Sequence, residues 1–296
     1  MSTTKVLSIA GLVLVSALLG SRAHAEMLKL DDQLTVFYEV AGAGQIPLVF
    51  IPGWTMSSKV FDKQLAHFAN STKYRFYTYD PRGQGKSTKT EGGHFYEQHG
   101  RDLHNFLERL RLRHVVLVGW SNGGFEALAY IREYGAENVR ALVLIDCPPK
   151  SIGNNNKTEW IWVSRDDADG SRRTLTMDTL LDRKKMDGNF VDWMLEHPTA
   201  ADVRTFSAIS DETPDTIAAL TNETSMYEDY EQELTSLDGK LPLLFAVRKE
   251  MGDPAKKWAT VHTPNATIIA FGKHLNFWER SDQFNAGLDR FLATGH

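Results

Sequence analysis

Ser121 stands between Gly119 and Gly123 in the stretch Val115-Val116-Leu117-Val118-Gly119-Trp120-Ser121-Asn122-Gly123-Gly124. The apolar, β-branched run ahead of it and the helix-forming residues 126–133 behind it predict strand, sharp turn and helix. Glycine at 119 and 123 lets the backbone double back where side chains would clash. A serine at the apex of such a turn can attack a carbonyl if a histidine reaches it. His274 is the candidate base. It follows the apolar run 266–271 and Gly272. Serine and histidine would both sit at the carboxyl ends of parallel strands, where open sheets of this kind bind ligands.

A histidine base needs a carboxylate behind its second ring nitrogen. Three residues could supply it. Glu250 is the first acid after the apolar run 242–247, Asp146 closes the run 139–145, and Asp253 opens a helix, where an acid can also serve as a cap. These alternatives stay open at this level. The oxyanion formed on attack needs two backbone donors, and the amides of Asn122 and of Trp54, after Pro52-Gly53, are placed to provide them. The turn Asp80-Pro81-Arg82-Gly83-Gln84-Gly85 reads as scaffold, with Arg82 bonding to loop carbonyls. It lacks the spacing of a phosphate loop, and no dinucleotide fingerprint is present.

Positioning these residues requires strands that alternate with helices. Strands are expected over 34–40, 47–51, 74–79, 115–119, 139–145, 242–247 and 266–271. Helices are expected over 61–69, 94–111, 124–134, 254–259 and 281–292. Continuous apolar strands separated by helices predict a mostly parallel sheet covered on both faces. The pattern breaks over 150–237, where polar loops and short helical periods (175–186, 190–195, 226–237) predict a helical insertion over the carboxyl edge of the sheet. Trp160, Trp162, Trp193, Met194 and Met226 fall in it, either as its own core or as pocket wall.

The 296 residues suffice for one large core with an inserted lid. Residues 1–25 read as a secretory signal peptide: Lys5, the apolar run 6–20, and Ala23-His24-Ala25 before Glu26. An uncleaved anchor is the alternative, although the run is short for a span of about 20 residues. An exported, periplasmic or extracellular protein is therefore expected, with no stable membrane insertion after cleavage. Removing 1–25 takes away Lys5 and Arg22 and no acid, so the formal net charge of −5 becomes more negative. That argues against general affinity for nucleic acid or anionic membranes. Cys147 is the single cysteine, so no intramolecular disulfide can form. No ligand spacing points to a metal. Asn70, Asn156, Asn222 and Asn265 begin N-x-Ser/Thr patterns.

Taken together, these motifs resemble the α/β-hydrolase fold superfamily over about residues 28–293. Gly119-Trp120-Ser121-Asn122-Gly123 resembles its nucleophile elbow, Pro52-Gly53-Trp54 its oxyanion loop, and His274 its terminal histidine. The resemblance implies a core over 26–149 and 238–296, interrupted by a helical cap over 150–237. It points to the cap-bearing branch, which includes esterases, lactonases, cofactor-free haloperoxidase-like enzymes and carbon–carbon bond hydrolases. Epoxide hydrolases and haloalkane dehalogenases use an aspartate where Ser121 stands. The usual Gly-x-x-Asp after the penultimate strand is replaced by Arg248-Lys249-Glu250, and some members carry the acid one strand earlier, where Asp146 lies. The reading is a serine hydrolase of a small or medium ester or lactone, with a small-molecule substrate and no cofactor. The alternatives are a carbon–carbon bond hydrolase, a perhydrolase or acyltransferase using the same residues, or a non-catalytic ligand-binding protein on this scaffold.

Overall fold

The structure, a computed structural model, describes residues 23–294, so the leader expected over 1–25 lies outside the described residues up to Arg22. The strands are β1 (His24–Lys29), β2 (Thr35–Ala41), β3 (Ile46–Ile51), β4 (Tyr74–Tyr79), β5 (Val115–Trp120), β6 (Val139–Ile145), β7 (Lys150–Gly153), β8 (Ile161–Ser164), β9 (Leu243–Val247) and β10 (Thr267–Ala270). All but β7 and β8 form one sheet in the order β1-β2-β4-β3-β5-β6-β9-β10. β1–β2 and β2–β4 run antiparallel, and every later pair runs parallel. This is the expected mostly parallel sheet, extended by an edge strand that was not anticipated because its first residues overlap the expected cleavage site.

Side-chain alternation along the buried strands builds two cores. Val115 and Leu117 of β5 join one cluster, and Val116, Val118 and Trp120 join the other. The first cluster takes Leu103 and Phe106 from α2 (Tyr96–Arg109) and Phe125 and Leu128 from α3 (Asn122–Tyr134). The second takes Phe68 from α1 (Asp62–Phe68) and Phe284 and Leu288 from α11 (Ser281–Ala293). The sheet is thus covered on both faces.

The insertion contains α4 (Arg165–Leu181), α5 (Arg183–Met194), α6 (Ala200–Ser210) and α7 (Asp215–Ser225). It also contains the parallel pair β7–β8, which its short, serine- and glycine-bearing strands did not reveal. The helical period 175–186 is split between α4 and α5. Asp182 leaves helical geometry at φ −151° and its carboxylate accepts the Lys185 amide, so one helix ends and the next begins there. α8 (Glu231–Leu237) buries Leu234 and Leu237 in the first core cluster, so this last part of the insertion packs as core rather than as lid. α9 (Gly252–His262) and α10 (Asn276–Glu279) complete the chain. Among the described residues no helix is long and apolar enough to cross a membrane.

Arg82 does not bond to loop carbonyls. Its Nε and Nη2 pair with Asp102 Oδ2 and Oδ1, both at 2.7 Å, and both side chains are nearly buried. The 80–87 turn is held instead by the Asp80 carboxylate, which accepts the amides of Ser58 and Lys86. Removing one partner of a buried pair leaves the other charge uncompensated. Arg82→Met is therefore expected to lower unfolding free energy by about 3 kcal/mol. Urea denaturation measures this, and a loss under about 1 kcal/mol would show that the pair contributes little.

Candidate active site

The loops after β3, β5, β6 and β10 converge above the carboxyl edge of the sheet. The sharpest is the turn out of β5. Ser121 adopts φ 53° and ψ −128°, a conformation that L-residues rarely hold. Its amide donates to Ile145 O at 2.9 Å, which extends the β5–β6 ladder to the apex of the turn. Crowding explains the two flanking glycines. A Cβ on Gly119 would lie 2.5 Å from Gly123 O, and one on Gly123 would lie 2.3 Å from Ile51 O. Helix α3 starts at Asn122, so that amide belongs to the first turn, where no preceding carbonyl is available.

The next strand ends the same way. Asp146 has φ 40°, and its amide donates to Ala246 O at 2.9 Å. Its carboxylate then meets three donors. Oδ2 lies 2.6 Å from His274 Nδ1 and accepts Arg248 Nη1 at 2.7 Å, while Oδ1 accepts the Arg248 amide at 3.0 Å. Burial alone would raise the Asp146 carboxyl, but the Arg248 charge, the His274 bond and the Arg248 amide together hold it below the usual carboxylate range. His274 is equally buried. Burial pushes its imidazole below the ordinary histidine value of 6.5, the Asp146 bond and charge pull it back part of the way, and Arg248 adds to the lowering. Neutral imidazole is thus the resting form near neutral pH.

The His274 backbone is pinned as well. Trp120 Nε1 donates to His274 O at 2.9 Å, and the two rings lie 5.3 Å apart. The residue before Ser121 therefore anchors the loop carrying the histidine. Sequence reading missed this, because Trp120 occupies a variable place in the motif.

Of the three acids considered, the structure brings Asp146 to His274 and leaves the other two outside. The Glu250 side chain is 67% exposed and lies 3.7 Å from Arg248 Nε. The correction has a plain cause: after β9 the chain makes a short turn (Lys249–Met251), and the buried Arg248 side chain takes the Asp146 carboxylate while Glu250 is left exposed. Asp253 is exposed in the first turn of α9.

Ser121 and His274 share one cavity of about 370 Å³ with Trp54 and Asn122. Its other walls come from the insertion: Trp162, Val163, Thr174, Leu175, Asp178, Met186, Asn189, Phe190, Trp193, Asn222, Ser225 and Met226. Trp162, Trp193 and Met226 thus act as wall. Trp160 and Met194 are buried in the cores. Phe190, Asn189 and Asp178 carried no sequence signal of their own. Asn222 is 5% exposed, so its N-x-Thr pattern is not a surface acceptor. The loop after β3 is tied to the insertion at three points. Trp54 Nε1 donates to Ala218 O (2.7 Å), Ser210 Oγ to Thr55 Oγ1 (2.8 Å), and Thr213 Oγ1 to Thr55 O (3.2 Å).

The two acids are separated by substitution. Asp146→Asn removes the charge that fixes the imidazole tautomer and is expected to lower kcat by about 10⁴-fold, by the precedent of serine-protease triads. Glu250→Gln should stay within about twofold, because Glu250 is exposed and meets the site only through its 3.7 Å approach to Arg248 Nε. Steady-state kinetics on both variants, with matched melting curves, decides the matter; the reverse ranking would overturn the placement.

A family model for the alpha/beta hydrolase fold matches residues 46–167. A non-heme haloperoxidase of Rhodococcus erythropolis is 37% identical over 130 residues, which is 44% of this chain and 47% of that protein. A bifunctional esterase/perhydrolase of Acinetobacter calcoaceticus is 33% identical over 119 residues, 40% of this chain and 43% of that protein. The chain thus spans less than half the length of these curated relatives. A bromoperoxidase structure from Bacillus anthracis superposes with a TM-score of 0.81 at 24% identity, covering 91% of this chain and 100% of that one. Sheet order, the serine turn and this superposition identify the chain as a protein of the α/β-hydrolase fold.

Proposed function

We propose that the protein is a serine hydrolase that cleaves small or medium uncharged carboxylic esters or lactones. One observation carries the reading: Ser121 at its strained turn shares a cavity with His274, whose Nδ1 lies 2.6 Å from the buried Asp146 carboxylate. With Nδ1 so engaged, Nε2 is the nitrogen left to take the proton from Ser121 Oγ. The resulting alkoxide attacks the substrate carbonyl, and the amides of Trp54 and Asn122 receive the oxyanion. His274 then protonates the leaving alkoxide and activates water to release the acid. The names of the relatives, which include an esterase/perhydrolase, support acyl chemistry on this scaffold.

The lining sets the substrate's character. It holds several aromatic rings and one carboxylate, Asp178, and among the described residues no lysine or arginine lines it. An anionic acyl group would be desolvated beside a like charge. A carbon–carbon bond hydrolase acting on acidic ring-cleavage ketones would want a cation here, so the ester reading is favoured. Acyl transfer to peroxide remains open to the same acyl-enzyme, with hydrogen peroxide replacing water and a peracid leaving. We also propose export of the mature chain from Glu26, supported by the apolar run 6–20 and Ala23-His24-Ala25.

Intact mass after treatment with a fluorophosphonate tests the nucleophile. One adduct is expected on the wild type and none on Ser121→Ala, with labelling lost or strongly slowed in His274→Ala. A folded, unlabelled wild type would refute the hydrolase reading in favour of a binding protein. The acid limb of kcat/KM follows protonation of the free enzyme's base, and the folded His274 is shifted down. The limb should therefore fall below about 6.5. A limb at or above that value would contradict the environment described for His274.

A further inference from the structure

Arg248 occupies an unusual place. Its guanidinium contacts the same Asp146 oxygen that His274 Nδ1 approaches, at 2.7 and 2.6 Å respectively. Its own amide takes the other oxygen. Two indoles from the insertion close around it, Trp162 on β8 and Trp193 on α5, each with its ring centroid 5.5 Å from the guanidinium carbon. The same two rings lie 5.5 and 4.7 Å from the His274 ring. Carboxylate, imidazole and guanidinium are therefore packed as one unit under two aromatic rings.

We propose that Arg248 is a positioning residue: it competes with His274 for one carboxylate oxygen and tunes that pair electrostatically from beneath the lid's indole clamp. This rests on the reading of His274 and Asp146 as base and acid. The physical logic has two parts. A fixed positive charge at hydrogen-bond distance from Asp146 opposes formation of a second positive charge on His274. It also divides the capacity of Oδ2, so the bond to imidazole is weaker than it would be alone. Both effects hold the base in its neutral, proton-accepting form. Guanidinium suits this place better than ammonium, because it is planar, weakly hydrated and stacks on indole.

Few other charges bear on the unit. Asp146 comes from the end of β6 and Arg248 from the end of β9. Glu250, on the solvent side, lies 3.7 Å from Arg248 Nε. Cys147 is buried beside Asp146, and burial together with that charge keeps its thiol neutral. The remaining faces of the imidazole meet the rings of Trp120, Trp162, Phe190 and Trp193.

The test is a titration of the His274 ring by ¹H–¹⁵N NMR in the wild type, Arg248→Gln and Arg248→Lys, with His274→Gln to assign the signal. Arg248→Gln should raise the midpoint by about one pH unit. Arg248→Lys keeps the charge and should move it less than half as far. A midpoint in Arg248→Gln within about 0.2 units of the wild type would overturn the proposal. If Arg248→Gln does not fold, Arg248→Lys still decides: a full-unit rise despite the retained charge would overturn it, and a rise above about 0.2 but under half a unit would support it. A residue that was merely structural would lower kcat or stability without moving the midpoint. The titration needs no substrate, so a failure of ester hydrolysis and a failure of this inference are read separately.

Discussion

Two adjacent parallel strands, β5 and β6, both end on a non-glycine residue held at positive φ, and the site depends on that. Ser121 and Asp146, with Thr55 behind the Trp54 loop, are three of the five such residues among those described. Each such conformation costs on the order of 1–3 kcal/mol and persists only where its surroundings over-determine it. Here the ladder does so. The Ser121 amide is fixed on β6 through Ile145 O, and the Asp146 amide on β9 through Ala246 O. Neighbouring strands lie about 4.8 Å apart. Two side chains turned upward from adjacent strand ends can therefore both be served by one imidazole, and β10 delivers it. The sheet spends stability at its carboxyl edge to place reactive groups at fixed separations.

The insertion completes what the sheet begins. Hydrogen bonds from Trp54, Ser210 and Thr213 lock the loop after β3 to the lid, so the amide proposed for the oxyanion is set by both layers. Those anchors are backed by a buried network in which Arg183 pairs with Asp187 at 2.9 Å and with Ser210 Oγ at 2.8 Å. The lid also supplies most of the cavity wall, including the rings of Trp162, Phe190 and Trp193. Beneath that wall Asp146, His274 and Arg248 are all buried. Their mutual interactions therefore act in a medium of lower dielectric constant and count for more than they would at a surface.

Much of this was legible in the chain because the signals are local. The strand–turn–helix around Ser121, the apolar runs and the histidine after the last strand are written in consecutive residues, and the observed elements follow them within a few positions. The identity of the acid was not. Glu250 and Asp146 each follow an apolar run, and only the path of the chain after β9, with Arg248 turned inward and Glu250 outward, distinguishes them. The roles of Trp120 and Arg248 were not legible for the same reason: they are long-range contacts, 154 residues to His274 and 102 residues to Asp146. The β7–β8 pair and the division between α4 and α5 depend on capping and on packing against the core, which periodicity over a short polar stretch does not reveal.

Placing the carboxylate at the end of β6 rather than β9 changes what the β9 loop is for. Sheet order puts β9 between β6 and β10, so the loop after it starts between the strands that lead to Asp146 and His274. A second carboxylate there would crowd the first with like charge in a buried setting, which raises the pKa of at least one of them. An apolar residue would leave Asp146 with the histidine and a backbone amide alone against the cost of burial. A cation that is also planar fits the remaining requirement, since it bonds to the carboxylate while its carbon lies 5.5 Å from the ring centroids of Trp162 and Trp193. The arginine at 248 and the aspartate at 146 are therefore two halves of one electrostatic arrangement, with two indoles of the lid packed against it.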